Sequence, residues 1–133
     1  GGKLLLITNY AIWDDQIYGF LPMGEVTNQF FRDDVREFFS LGGGYPDLNA
    51  VNSIYPIFAF SPSAPSYLPD DSTAAIYQAP ALGENNIVGA RYPADGEGQV
   101  IMLSFHAHNC YPGGGFIELL TFILEDEFGL SRR

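Results

Sequence analysis

The sequence predicts an α/β fold: a mixed, mainly parallel sheet flanked by helices, ending in a β-hairpin and a C-terminal helix. Three observations carry this expectation. "KLLLITN" at 3–9 is a continuous apolar run without helical spacing, the pattern of a strand covered on both faces. "NQFFRDDVREFFS" at 28–40 sets Phe31, Val35, Phe38 and Phe39 along one helical face, with Asp33, Arg36 and Glu37 turned outward. Three strand patterns and a second helical pattern follow, and strands alternating with helices build layered sheets.

Taken in order, the first strand leads into "YAIWDDQIYGFLPMGEV", a polar and aromatic loop. Thr27 or Asn28 can cap the helix expected at 28–40, and Gly42 to Gly44 can end it. "SIYPIFAF" has room for a short strand, whereas "SPSAPSYLPDDS" cannot continue one, because Pro62, Pro65 and Pro69 lack the N–H that a ladder needs. "TAAIYQA" at 73–79, "NIVGARY" at 86–92 and "QVIMLSF" at 99–105 read as strands. Asp95-Gly96 is a turn signal that pairs the last two as a hairpin. "GGFIELLTFILEDEFG" reads as a deeply packed helix through Phe116, Leu119, Leu120, Ile123 and Leu124, stopped at Gly129.

The chain has 133 residues, one ordinary domain in length, and 47% of them are hydrophobic, enough for a real core. Its formal net charge of −10 argues against nucleic acid, whose phosphates need a basic footprint, and against an anionic membrane surface. One cysteine permits no internal disulfide, and no apolar run reaches the length of a membrane span. The chain begins almost directly with a strand, which suggests a domain cut from a longer polypeptide.

Three segments resemble the C-terminal part of class I glutamine amidotransferase-like domains: "GGKLLLITN", "NIVGARYPADGEGQVIMLSF" and the closing "GGFIELLTFILEDEFG". The resemblance implies a flavodoxin-like α/β fold and membership among the non-catalytic modules of large surface or secreted proteins. It does not carry the amidotransferase activity over. The family's cysteine sits in a "GxCxG" elbow, and here Cys110 sits in "HNCYP".

The candidate chemistry gathers at "HAHNC". His106, His108 and Cys110 lie two residues apart, so on a continuing strand they would share one face. Two imidazoles and a thiolate could hold Zn or Cu, although Asn109 and Pro112 suggest the strand has already broken and no fourth ligand is evident. Alternatively, Cys110 with His106 or His108, oriented by Glu118, would supply the parts of a thiol hydrolase. The plain alternative is loop histidines beside a cysteine that behaves as a small hydrophobe. Ca²⁺ ligands could come from the acidic pairs Asp14-Asp15, Asp33-Asp34 and Asp70-Asp71, the run Glu125 to Glu127, or from Asp47, Asn49 and Asn52. Solvated surface charge is the simpler reading of all of these. Tyr10, Trp13, Tyr18 and Phe20 in the first loop could stack a sugar or dock a partner.

The reading favoured by the sequence is a non-catalytic structural or interaction domain of a larger extracellular or cell-surface protein, with a cytoplasmic setting still open. Its partners would be neighbouring domains of the same polypeptide or another protein chain, with no cofactor. A Cys110 hydrolase and a carbohydrate-binding module using the 10–20 loop are the alternatives.

Overall fold

A computed structural model of the chain describes residues 2–7, 28–30, 34–51, 57–59, 74–83, 87–92 and 98–130; at 28–30, 57–59, 74 and 92 it describes the backbone alone. Among the described residues eight strands form: β1 (Lys3–Ile7), β2 (Asn28–Phe30), β3 (Glu37–Ser40), β4 (Leu48–Asn49), β5 (Ile57–Ala59), β6 (Ala74–Gln78), β7 (Ile87–Tyr92) and β8 (Gln99–Leu103). Among the described residues one α-helix, α1 (Phe116–Phe122), continues as a π-helical turn over Ile123–Glu127. Six strands make one sheet in the order β1-β8-β7-β6-β3-β4, curled into a half-barrel, and β2 pairs with β5 separately.

This corrects the expected mainly parallel sheet flanked by helices. Within the six-stranded sheet only β1 and β8 run parallel; β8–β7, β7–β6, β6–β3 and β3–β4 are all antiparallel. Parallel neighbours need a long crossover, usually a helix, between them. Here β6, β7 and β8 follow one another through short connections, which favours a meander. The flavodoxin-like layering implied by the amidotransferase resemblance is likewise not what the described residues form.

The helix expected over 28–40 is replaced by β2 and β3. Across β3 the side chains alternate: Phe38 is buried and Phe39 is exposed, a period of two in place of the helical stripe. Phe38 stacks on Phe105 with ring centroids 4.0 Å apart and planes 3° from parallel. Ala50 N donates to Arg36 O at 2.7 Å, which ties the entry of β3 to the residues after β4. Aromatic residues suit a half-buried pleated surface, and this tertiary setting outweighs the helical spacing.

β1 also departs from expectation. It lies at one end of the described sheet, Lys3 and Leu4 are exposed, and Leu5 to Ile7 are half-buried. The strand covered on both faces is β8, where consecutive Ile101, Met102 and Leu103 are all buried. The β7–β8 hairpin pairs Gly89 with Leu103 and Arg91 with Ile101. Its Asp95-Gly96 turn and the 61–72 loop lie outside the described residues.

A line of aromatic rings crosses the core from sheet to helix. Phe105 meets Tyr77 edge-on at 6.4 Å, Tyr77 meets Tyr45 at 5.9 Å, and Tyr45 meets Phe122 of α1 at 4.7 Å. Tyr77 donates its hydroxyl to Pro46 O, so its polar end is satisfied. Burial raises the pKa of both tyrosines, and Glu127 raises that of Tyr45 further.

An ion pair fastens the end of the helical segment to the sheet. Arg91 Nη1 donates to both Glu127 oxygens, at 2.7 and 2.9 Å, and Gln99 Nε2 donates to Glu127 Oε2 at 3.3 Å. The Glu127 side chain is 7% exposed and that of Arg91 24%. Glu127→Gln should therefore cost about 2 kcal/mol, less than the roughly 3–5 of a fully buried pair because water still reaches Arg91. Denaturant unfolding of that variant beside the double variant Arg91→Met/Glu127→Leu checks it: the double variant should be the more stable of the two, having no stranded charge.

Candidate functional site

"HAHNC" does not continue the strand. β8 ends at Leu103, Ser104 and Phe105 follow, and Ala107–Cys110 form a 3₁₀ turn with His106 at its start. Asn109 N donates to His106 O at 2.9 Å and Tyr111 N to His108 O at 3.2 Å. The alternation that would align all three side chains applies only to a strand. In a 3₁₀ turn each residue advances about 120°, so His108 and Cys110 diverge.

The outcome is a division between core and surface. Cys110 is fully buried in the main cluster with Leu119 and Phe105. Its burial pushes the thiol pKa up to about 11, opposite to the depression an attacking thiolate needs. His106 is half-buried and His108 exposed, with ring centroids 4.9 Å apart and planes at 37°. Burial, with His108 beside it, lowers the pKa of His106.

Glu118 joins neither imidazole by a hydrogen bond or ion pair among the described residues. It is exposed in the first turn of α1, where it lines an open groove of about 380 Å³ with Pro46, Ile117, Thr121, Phe122 and Asp126. Neither histidine lines this groove. The structure therefore brings His106 and His108 together, and places Cys110 and Glu118 elsewhere.

The turn itself is held firmly. Val51 N donates to Asn109 O at 2.9 Å, Asn49 N to Gly114 O at 2.8 Å, and Gly114 N to Cys110 O at 3.0 Å. These bonds stitch the segment from 109 to 114 along β4 and the residues after it.

No group of three or more His, Cys, Asp or Glu side chains converges on one point among the described residues. Asp47, considered above as a Ca²⁺ ligand, accepts from Ser40 N at 2.8 Å and braces the β3–β4 turn. Asp14, Asp15, Asp33, Asn52, Asp70 and Asp71 lie outside the described residues. So do Tyr10, Trp13, Tyr18 and Phe20 of the aromatic loop. No helix among the described residues is long and apolar enough to cross a membrane.

The sequence reading missed the Arg91–Glu127 pair and the buried Tyr45. A signal existed for the first. The chain has only six Lys and Arg residues, and Arg91 stands inside an apolar strand pattern, where a cation needs a partner. The chain matches no protein-family profile, no curated protein and no solved structure.

Proposed function

We propose that this chain is a non-catalytic structural or interaction domain of a larger, extracellular protein, packing against a neighbouring domain or another protein chain. The observation that carries the reading is the complete burial of Cys110. A thiol nucleophile needs access and an imidazole within reach. Here the sulfur belongs to the core, while the imidazoles lie toward solvent.

The outward face of α1 supports the same reading. Ile117 of α1 and Leu124 of the π-helical turn that continues it are 52% and 42% exposed, and Leu130 beyond them is 57% exposed. Large apolar side chains exposed in this way suit contact with protein better than contact with water. The net charge of −10 opposes close approach of a second copy, which favours an unlike partner.

The test is alkylation of the native protein by iodoacetamide at neutral pH, followed by mass spectrometry. Cys110 should stay unmodified until denaturant opens the core and then react fully. Fast stoichiometric labelling of the folded chain would overturn the reading in favour of a thiol enzyme.

A further inference from the structure

We propose that His106 and His108 form a two-imidazole surface site for a divalent transition-metal ion of the Zn²⁺, Ni²⁺ and Cu²⁺ group. The first support is geometric. With metal–nitrogen bonds of about 2.1 Å, each ring centroid lies roughly 3.2 Å from the ion, and two rings set 90–110° apart around it are roughly 4.5–5.2 Å from each other. The observed separation is 4.9 Å.

The second support is that the rings are not otherwise engaged. Among the described residues neither imidazole has a hydrogen-bond or ion-pair partner, and their one mutual contact is with each other.

The third is that the frame beneath them is rigid. Phe105 before the pair and Cys110 two residues after it are fully buried, Ala107 between the histidines is buried too, and the carbonyls of His106 and His108 accept from Asn109 N and Tyr111 N. Two rings whose centroids already lie at the separation that two bound imidazoles would have lose little freedom on binding.

The donor set decides the class of ion. Imidazole nitrogen suits Zn²⁺, Ni²⁺ and Cu²⁺, with Cu²⁺ the tightest. Ca²⁺ and Mg²⁺ require oxygen ligands, which this pair does not supply. Cys110 is turned into the core and adds no third ligand. Water, or a donor from another molecule, would take the remaining positions. The chain's negative charge raises the local concentration of any cation. This inference is independent of the interaction reading above, since a surface chelate is compatible with either presence or absence of a partner.

His106 and His108 are the chain's only two histidines, so both imidazoles can be followed separately by NMR. The untagged protein is titrated with ZnCl₂, with CaCl₂ as a control. Both imidazole signals should move together to a one-to-one endpoint with Zn²⁺ and stay in place with Ca²⁺. His108→Ala removes an exposed side chain and leaves the fold intact, which its thermal unfolding curve verifies. It should weaken Zn²⁺ binding by at least the roughly tenfold that even an outer-shell partner is worth. The proposal is overturned if only one ring responds, if neither does, or if His108→Ala binds Zn²⁺ as tightly as the unsubstituted chain.

Discussion

Gly114→Ala is expected to destabilise the domain by about 3 kcal/mol or more, at or beyond the upper end of ordinary overpacking. A Cβ at this position would fall well inside van der Waals contact with the Asn49 carbonyl oxygen, and 2.6 Å from that of Cys110. Both obstacles are backbone, so no side chain can rotate away. Relief would have to separate β4 from the 109–114 segment and break the bond from Asn49 N to Gly114 O.

The neighbouring glycine supplies the comparison. Gly113 has a φ of +81° and nothing within 4 Å of an added Cβ, so Gly113→Ala meets only the left-handed backbone penalty of roughly 1–2 kcal/mol. Urea unfolding of both variants tests the pair. If Gly113→Ala proves as damaging as Gly114→Ala, the close approach of β4 to this segment is wrong.

Phe105→Ala should cost roughly 3–5 kcal/mol, a large share of the roughly 5–15 kcal/mol that stabilises an ordinary domain. Phe105 is fully buried, stacks on Phe38 and meets Tyr77 edge-on. Its removal opens a cavity between Phe38 of β3 and Tyr77 of β6, near the β3 end of the line of rings. Phe39 is 39% exposed, so Phe39→Ala should cost about 1 kcal/mol or less. The contrast between these two phenylalanines, measured as the shift in denaturant midpoint, also decides between strand and helix over 37–40. In the helix read from the spacing, Phe38 and Phe39 share the buried face and Phe39→Ala would cost far more.

Local pattern revealed some elements and concealed others. The β7–β8 hairpin forms where two apolar runs flank turn residues, because both the strands and their partners are close in sequence. α1 forms where "FIELLTF" repeats its apolar positions at helical spacing, although Leu124, expected on the packed face, is exposed in the π-helical turn beyond it. The 28–40 segment misled because Phe31, Val35, Phe38 and Phe39 fall at helical spacing, whereas in β3 Phe38 turns inward and Phe39 outward. The buried stack of Phe38 on Phe105, 67 residues away, favours the strand, and no short window contains it.

The candidate site was legible as composition and not as geometry. "HAHNC" announced imidazoles and a thiol, but which of them meet depends on where β8 stops. Phe105 enters the core and the chain then tightens into a 3₁₀ turn, which sends Cys110 inward and His106 and His108 outward.

By itself the sequence determined the acidic charge balance, the single cysteine, the strand-forming runs read at 3–9, 73–79, 86–92 and 99–105, and a closing helix, because these follow from residue type and short-range spacing. Only the tertiary structure decided that the sheet is mostly antiparallel, that β8 and not β1 is the strand covered on both faces, that Arg91 grips Glu127, and that the histidines part company with Cys110. Each of those outcomes depends on contacts between distant segments, whose energies are set by what packs opposite and not by what stands next in the chain.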